Sequence, residues 1–335
     1  MSLTQAVLEG NRLALARLLT HVENNAPEGR SALAELFPYT GRSHLIGVTG
    51  APGTGKSSLV NQLALHYRKA QDKKVAILAV DPSSPFTGGA VLGDRVRMRD
   101  LSGDNGVFIR SMASRGSLGG IAQTTAAMAQ VFDAAGYEII IIETVGAGQS
   151  EVDIARLAHT TLVVEAPGLG DDIQAIKAGI LEIADVLVIN KADRPGVENT
   201  ERALRTTLEL AHPTQRIFRH HGQSITVAGA PADSKLWIPP INKTVATEGK
   251  GIAELAESIA KHAEHLRQSG DWAARDRARL ASEMEALLQE TLMAQFFESI
   301  SQETYEEIIQ NVLNRNQSPF EAVQSLLNGS ASRQE

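Results

Sequence analysis

The chain contains no cysteine among its 335 residues, and only 4% of those residues are aromatic. The absence of cysteine excludes disulfides, thiolate metal sites and cysteine nucleophiles. The scarcity of aromatic side chains means that any hydrophobic core must be mainly aliphatic. Hydrophobic residues make up 43% of the chain, an ordinary share for a globular protein, so the material for a sizeable core is present.

The sequence also lacks a basic excess and long hydrophobic runs. Its net charge of −7 argues against nucleic acid or an anionic membrane surface as a partner. Apolar runs such as Ile139 to Ile142 are far too short to span a bilayer. The first residues, Met1 to Gln5, carry no basic segment followed by an apolar stretch. These absences predict a cytoplasmic protein with no nucleic-acid partner and no membrane partner.

The central part of the chain alternates short apolar runs with helical patterns. The runs that predict strands are 45–48, 75–80, 107–109, 139–142, 161–164, 186–189 and 241–245. Several are apolar on both faces, which is typical of parallel strands covered by helices on each side. The alternation predicts a doubly wound α/β fold with a mainly parallel sheet.

Helical patterns predominate at both ends. Leucine and valine spacing predicts a helix pair over 3–24, interrupted at Gly10-Asn11, and 24–30 is predicted to be a loop. After Trp272 an apolar stripe fits either a helix packed on the domain or a dimerisation arm. That stripe comprises Leu280, Met284, Leu287, Leu288, Leu292, Phe296 and Phe297. We predict an N-terminal helical segment over 1–40, the α/β domain over 41–268, and a C-terminal helical extension over 269–335 whose last residues, 328–335, form a frayed tail.

A phosphate-binding pattern follows the first predicted strand. Residues 50–57 match G-x-x-x-x-G-K-[ST] and lead into a predicted helix over 58–70. Successive backbone N–H groups of such a loop point at the β-phosphate. Lys56 can then reach the β- and γ-phosphate oxygens, and the Ser57 hydroxyl can bind Mg²⁺. The predicted nucleotide-binding residues here are Gly50, Ala51, Pro52, Gly53, Thr54, Gly55, Lys56, Ser57 and Ser58.

A second segment specifies the base. Asn190, Lys191, Ala192 and Asp193 follow the predicted strand 186–189. The Asp193 carboxylate can accept from both N1–H and N2–H₂ of guanine, a pair of donors that adenine lacks. The tetrapeptide alone could be a polar turn, but its position downstream of a phosphate-binding loop predicts GTP and GDP as ligands.

Acidic residues at strand ends predict a magnesium site. Asp81 and Glu143 each end a predicted strand, and ligands of open α/β sheets bind beyond the carboxyl ends of strands. Asp81 could alternatively cap a turn. Asp94 lies in the glycine-rich segment 87–98, which has the composition of a switch loop that orders around a γ-phosphate. We therefore predict that Asp81 and Glu143 face the nucleotide, that Glu143 holds Mg²⁺ or its waters, and that Asp94 is a further candidate ligand. Gly146 could donate its N–H to the γ-phosphate.

These segments, in this order, resemble the GTPase chaperones of adenosylcobalamin-dependent acyl-CoA mutases (the MeaB/ArgK/MMAA family). That family includes the methylmalonyl-CoA mutase accessory protein and a bacterial relative once described as a kinase of arginine/ornithine transport. The resemblance covers most of residues 10–265. Its most specific blocks are Asp-Pro-Ser-Ser-Pro at 81–85, Gly-Asp-Arg at 93–95 and Glu-Thr-Val-Gly-x-Gly-Gln-Ser at 143–150.

The resemblance implies further properties. Asp81, Asp94 and Glu143 would be the Mg²⁺ and switch acids, so the predicted catalytic residues are Lys56, Asp81, Asp94 and Glu143 and the predicted metal ligands are Ser57, Asp81, Asp94 and Glu143. The fold would belong to the SIMIBI class of P-loop GTPases, and the protein would act as a homodimer through its C-terminal extension. A third switch, with Asp171, Asp172, Gln174 and Lys177, would transmit the nucleotide state to the mutase. Val245, Ala246 and Thr247 would lie at the last guanine-contact motif, where the family usually has Ser-Ala.

The predicted function is that of a GTP-hydrolysing switch which gates cofactor loading and protection or reactivation of a mutase. Hydrolysis would be slow until the partner completes the site, since the sequence identifies no obvious glutamine or arginine finger that positions water; Gln149 is a candidate. Two alternatives stay open. A metallochaperone GTPase would need a cluster of ligands, and the only tight histidine pair is His220-His221. A kinase linked to amino-acid transport would need an acceptor site and a base.

Overall fold

The computed structural model describes residues 2–82, 99–101, 103–114, 120–144, 150–168, 183–211, 215–220, 223–228 and 236–331. The chain forms two compact units, Met1–Arg279 and Leu280–Glu335. The predicted boundaries at residues 40 and 268 stay a prediction. No helix within the described ranges is both long enough and apolar enough to cross a membrane.

The first unit is built on a seven-stranded parallel sheet, which confirms the predicted fold class. Its strands are β1 His44–Thr49, β2 Val75–Pro82, β3 Val107–Ser114, β4 Ile139–Thr144, β5 Thr160–Glu165, β6 Val186–Ile189 and β9 Ile241–Lys243. Their order across the sheet is β3-β2-β4-β1-β5-β6-β9. A separate antiparallel pair consists of β7 Gln215–His220 and β8 Gln223–Ala228.

The helices connect and cover these strands. They are α1 Leu3–Leu8, α2 Arg12–Glu23, α3 Pro27–Leu36, α4 Lys56–Gln71, α5 Gly120–Ala134, α6 Ser150–Leu157, α7 Val197–Ala211, α8 Ile252–Ser269, α9 Asp271–Ser299, α10 Gln302–Leu313 and α11 Pro319–Ala331. Short 3₁₀ turns occupy Phe37–Tyr39, Arg99–Leu101 and Ala246–Glu248. The last helix continues to Ala331, so the frayed tail predicted from residue 328 was wrong for its first residues.

Alternate residues of the central strands enter different cores. In β4, Ile140 packs with the N-terminal helices and α5, whereas Ile141 packs with α4 and α8 on the opposite face. In β1, Leu45 and Ile46 divide in the same way. Because side chains alternate across a strand, a strand buried on both faces must be apolar throughout. This explains the uninterrupted runs in the sequence.

The N-terminal helices are part of the first core. As predicted, the helical region is interrupted near Gly10, and the Asn11 side chain caps α2 by accepting from the N–H groups of Leu13 and Ala14. The predicted loop over 24–30 was wrong at its end, since α3 begins at Pro27. Proline favours the first position of a helix because the N–H it lacks has no intrahelical partner there.

Candidate functional site

Several of the predicted site segments meet at the carboxyl edge of the main sheet. The loop 50–57 follows β1, Glu143 lies near the end of β4, and the segment 190–193 follows β6. The segment 244–250 follows β9, beside β6. Because all seven strands are parallel, these carboxyl ends face the same side of the molecule, where ligands of open α/β sheets bind.

The loop 50–57 is closed around the Lys56 side chain. The Lys56 ammonium donates to the carbonyl oxygens of Gly50 at 2.7 Å and Ala51 at 3.0 Å, and only 5% of the residue is exposed. The Thr54 hydroxyl also donates to the Ala51 carbonyl, at 2.9 Å. Since α4 begins at Lys56, its first N–H groups and its positive end are directed at the loop. The arrangement is suited to binding phosphate.

Two glycines allow the loop to lie against its neighbours. Gly50 has φ +137°, and a Cβ at this position would lie 2.1 Å from the carbonyl oxygen of Val164 in β5. Gly55 has φ +91°, and its Cβ would lie 2.5 Å from Nδ2 of Asn190. L-residues with side chains rarely adopt these conformations. The glycines of the motif are therefore required both by backbone conformation and by close packing.

Replacing Gly50 with alanine is expected to destabilise the protein by at least about 3 kcal/mol, because strand β5 cannot move away from the added methyl group. Gly53→Ala is the matched control. Gly53 also has a positive φ, +81°, but no atom lies within 4 Å of its Cβ position. Only conformational strain of roughly 1–2 kcal/mol is expected there. Urea unfolding of both variants measures the difference, and equal losses would contradict the packing argument.

Glu143 and Ser57 place two oxygen donors side by side. The Ser57 hydroxyl donates to Oε1 of Glu143 at 2.6 Å, and Glu143 is buried in β4 between Val48 and Ala79 of the adjacent strands. Among the described residues, no group of three or more His, Cys, Asp or Glu side chains could hold a metal by itself. Mg²⁺ at phosphate sites usually needs only one or two carboxylates, because phosphate and water supply the other oxygens. The donor pair fits that requirement.

The Asn190 amide joins three segments. Its Nδ2 donates to the Thr54 carbonyl at 2.9 Å, so it contacts the phosphate-binding loop. Its Oδ1 accepts from the Thr244 hydroxyl and from the Ala246 N–H, both at 3.1 Å. These donors and acceptors fix which way the amide faces. Asn190 is buried, and it holds the segments 50–57, 190–193 and 244–246 in one arrangement.

Asp193 lies in an exposed position next to this junction. Lys191, which precedes it by two residues, has φ +57° and donates to the Gly53 carbonyl at 2.5 Å. The pKa of Lys250 is raised, first by its hydrogen bond to Glu248 and more weakly by the charge of Asp193. The Asp193 carboxylate is thus close to the 244–250 segment and available to a ligand.

The structure does not describe every predicted site residue. Asp81 belongs to β2, next to β4, so its backbone lies at the same edge of the sheet, but its side chain is outside the described part. The other predicted residues outside the described ranges are Asp94, Gly146, Gln149, Asp171, Asp172, Gln174 and Lys177. Of the last predicted motif, Val245 and Ala246 are buried beside Asn190, and Thr247 is exposed.

Thr244 is a site residue that the sequence analysis did not single out. Its hydroxyl donates to Asn190, and its backbone N–H donates to the Ile189 carbonyl at 2.9 Å. A polar β-branched residue at the end of a predicted strand was the available indication. Its partner, however, lies more than fifty positions earlier in the chain.

Comparison with known proteins gives concordant results over most of the chain. The profile of the family described as "Methylmalonyl Co-A mutase-associated GTPase MeaB" matches residues 15–301. A Pyrococcus abyssi protein named as a GTPase is 43% identical over 325 residues, 97% of this chain and 95% of that protein. Escherichia coli "GTPase ArgK" is 36% identical over 266 residues, 78% of this chain and 75% of that protein.

One further relative and one solved structure extend the comparison. The "Methylmalonic aciduria type A homolog, mitochondrial" of Caenorhabditis elegans is 31% identical over 286 residues, 80% of this chain and 67% of that protein. A crystal structure titled "LAO/AO transport system kinase" superposes with a TM-score of 0.68 and 25% identity, covering 97% of this chain and 95% of that one.

Proposed function

The chain belongs to the MeaB family of methylmalonyl-CoA mutase-associated GTPases, and on that premise we propose that it is a switch protein serving an adenosylcobalamin-dependent acyl-CoA mutase. The protein binds guanine nucleotide and hydrolyses GTP. The proposal concerns what hydrolysis is used for, namely gating the loading of cofactor and the protection or reactivation of the mutase. It is supported by a family match that spans 15–301, well beyond the nucleotide site itself.

In the proposed site, Lys56 and the α4 N-terminus hold the β- and γ-phosphates. The Lys56 ammonium exchanges its two carbonyl partners for phosphate oxygens, to which it brings a full charge. Ser57 and Glu143 are the residues that would hold Mg²⁺ or its waters, with Asp81 and Asp94 as further acids. When bound, Mg²⁺ would neutralise charge that develops on the phosphates.

The guanine base is proposed to lie beside Asn190, against Asp193. The single observation that favours this position is the Asn190 amide, which binds the phosphate loop on one side and residues 244–246 on the other. A base that enters here meets the exposed Asp193 carboxylate on one edge. Val245, Ala246 and Thr247 are proposed as the last guanine-contact motif, as the family resemblance implies, and the Ala246 N–H donates to the same Asn190 amide.

The partner-facing part of the proposal rests on sequence. Asp171, Asp172, Gln174 and Lys177 are proposed as a third switch, and they follow β5, the strand adjacent to β1. β1 itself leads into the phosphate loop, so the two segments begin on neighbouring strands. A switch that follows β5 would respond to the γ-phosphate, and a mutase could recognise its conformation.

The experiment is to measure GTP hydrolysis with and without an adenosylcobalamin-dependent acyl-CoA mutase. We expect at least a tenfold rise in rate, as a partner that completes a slow GTPase site can supply several orders of magnitude. A Lys56→Ala chain with the same mutase controls for hydrolysis by the mutase itself. If no such mutase raised the rate, the chaperone role would be wrong while the GTPase assignment stood. Label transferred from GTP to a protein, in place of free phosphate, would favour a kinase.

Homodimerisation through the C-terminal extension is part of the proposal. The second compact unit exposes a series of large apolar side chains, including Met284 at 67% and Phe320 at 74%. The others in the described part of this unit are Leu280, Leu287, Leu288, Leu292, Met293, Phe297, Ile309, Leu313, Val323 and Leu327. Apolar surface of this extent favours an interface. A monomer by sedimentation equilibrium at micromolar concentration would contradict it.

A further inference from the structure

A second cluster of ionisable side chains lies at the amino edge of the sheet, opposite the nucleotide site. It contains His44 at the start of β1, His159 just before β5, Asp185 just before β6 and His262 on α8. All four are buried, and His262 is only 1% exposed. His44, His159 and Asp185 contact Trp272, Arg275 or Asp276 at the start of α9, within the range 271–279 that belongs to the same compact unit. The proposed function uses none of these groups.

Hydrogen bonds order one half of this cluster. Thr160 Oγ1 lies 2.8 Å from Nε2 of His44 and 2.9 Å from Nδ1 of His262. Nε2 of His262 lies 3.2 Å from Oδ1 of Asp185. A hydroxyl has one hydrogen to donate. The contacts fit an arrangement in which Thr160 accepts from His44 and donates to His262, and the other ring nitrogen of His262 donates to Asp185.

The start of α9 is attached to the other half. Arg275 makes a bidentate contact with Asp185, at 2.8 Å for each nitrogen, and also donates to the His159 carbonyl at 2.8 Å. Asp276 Oδ1 lies 2.9 Å from Nε2 of His159. The Trp272 ring stacks on the His159 ring with centroids 3.9 Å apart and planes 18° apart. Trp272, Arg275 and Asp276, whose spacing places them on one side of the helix, therefore each contact His159 or Asp185.

The direction of one bond defines the protonation state of His159. The backbone N–H of Leu45 donates to Nδ1 of His159 at 3.1 Å, so that nitrogen must present a lone pair. Nε2 then carries the hydrogen and donates to Asp276. A second proton on the ring would place an N–H against the N–H of Leu45. Since Leu45 is paired inside the sheet, its N–H cannot turn away.

We propose that this cluster is an acid-sensitive latch, which holds residues 271–279 of α9 on the sheet while His159 is neutral and releases them when His159 takes up a proton. α9 continues past Arg279 into the second compact unit, so the latch holds the segment through which the two units are joined. The strands that carry the latch, β1, β5 and β6, lead at their other ends to the nucleotide site.

The surrounding charges agree with a neutral His159. The charged and titratable groups that face the cluster are Lys73 after α4, His44 on β1, Asp185 before β6, His262 and Arg267 on α8, and Asp271, Arg275, Asp276 and Arg279 on α9. Burial lowers the pKa of His159 and outweighs the opposing effect of Asp276. Burial lowers the pKa of His44 further, with the charge of His159 as the next cause.

The carboxylates stay ionised over the same range. Burial raises the pKa of Asp185, but hydrogen bonds from Arg275 and His262 outweigh this and bring the pKa to about 2. For Asp276, burial likewise raises the pKa, and the hydrogen bond from His159 with the nearby charges lowers it overall. The groups of the latch that take up protons as the pH falls below neutrality are thus His44 and His159.

The sign of the pH effect follows from the lowered histidine pKa values. A free histidine takes up its proton near pH ~6.5, whereas in the latched state His44 and His159 stay neutral until the pH is lower. The latch is therefore at full strength above pH ~6.5 and weakens as the pH falls below it. Each histidine changes the ratio of released to latched molecules by up to about tenfold per pH unit, and His44 with His159 by up to about a hundredfold.

Hydrogen exchange of the full chain tests the latch directly. Exchange of the 271–279 amides is compared at about pH 7.5 and about pH 5.5, on either side of the free histidine pKa, after correction for the intrinsic rate. We expect protection to fall by about tenfold to a hundredfold at the lower pH. Amides of the central strand β4 should keep their protection, which separates release of the helix from global unfolding. Unchanged protection of 271–279 would overturn the proposal.

His159→Asn isolates the responsible group. The asparagine Oδ1 can accept from the Leu45 N–H in place of Nδ1 of His159, but the asparagine amide does not titrate. For each unit by which the pH falls below about 6.5, the protection of the 271–279 amides should decrease about tenfold less in this variant than in the unmodified chain. His66→Asn is the matched control, because His66 is half-buried on α4 and outside the cluster. An equal loss in the His159→Asn chain would also overturn the proposal.

A measurement on the unmodified protein applies if His159→Asn fails to fold. Nitrogen-15 NMR of histidine-labelled chain reports which ring nitrogen carries hydrogen. We expect His159 to hold its hydrogen on Nε2 at neutral pH and to become doubly protonated only as residues 271–279 lose protection. A doubly protonated His159 in molecules whose helix remains protected would refute the latch.

Discussion

Replacing Lys56 with alanine is expected to lower the rate of GTP hydrolysis by at least about a hundredfold, since one preorganised charged donor at a developing charge contributes about that much. The Lys56 ammonium is buried and bound to two loop carbonyls. In the variant the phosphates lose a full charge, and the loop loses the two bonds that close it. Phosphate release and the affinity for a fluorescent GTP analogue measure both losses.

Lys69→Ala provides the matched control for this variant. Lys69 lies on the same helix, α4, but in its last turn and exposed to solvent, so its loss changes the net charge equally without touching the loop. Hydrolysis by Lys69→Ala should remain close to that of the unmodified protein. A Lys56→Ala chain that hydrolyses GTP within about tenfold of the original rate would contradict the assigned role of this lysine.

Replacing Asp193 with asparagine is expected to weaken GTP binding by at least about a hundredfold. The carboxylate accepts two hydrogen bonds from guanine in the proposed site, and each charge-assisted bond contributes about 1.5–3 kcal/mol. An amide has one oxygen to accept and presents an N–H₂ in place of the second. ATP binding, which gains nothing from the carboxylate, should change little.

The same substitution should improve the binding of xanthosine triphosphate. Xanthine has a carbonyl where guanine has its exocyclic amine, and the asparagine N–H₂ can donate to it. A gain of binding cannot come from local damage, so it tests the base position directly. Glu248→Gln is the control, since it removes a nearby exposed carboxylate of the 244–250 segment. Comparable affinities of the unmodified protein for ATP and GTP would refute the assignment of the base.

Local patterns predicted most of the fold, because strands buried on both faces must be continuously apolar. The third helix was partly missed, because Pro27 and Gly29 have the composition of a loop. In the structure, a Cβ on Gly29 would lie 2.8 Å from the backbone of His21. The glycine therefore permits two helices to touch, a reason that depends on tertiary contact and leaves no periodicity in the sequence.

The candidate site also has parts that the sequence predicted and parts that it did not. The loop 50–57 and the segment 190–193 could be predicted because each motif is contiguous and its context is local. The junction at Asn190 could not, since it requires β6 and β9 to be neighbours, and strand order is not encoded in any short segment. The histidine cluster was even harder to predict from the sequence. His44, His159 and His262 come from distant parts of the chain, and only the shared amino edge of the sheet brings them together.

The strand order also has a consequence for how the protein is made. β1 leaves the ribosome early, yet its two neighbours in the sheet, β4 and β5, begin only at Ile139 and Thr160. Parallel pairings across such intervals form late and slowly, because long loops must close first. The partners of Asn190 come later again, at Thr244 and Ala246. A nascent chain that ends before β9 would carry the complete phosphate motif without the assembled site, so GTP could help to complete folding only near the end of synthesis.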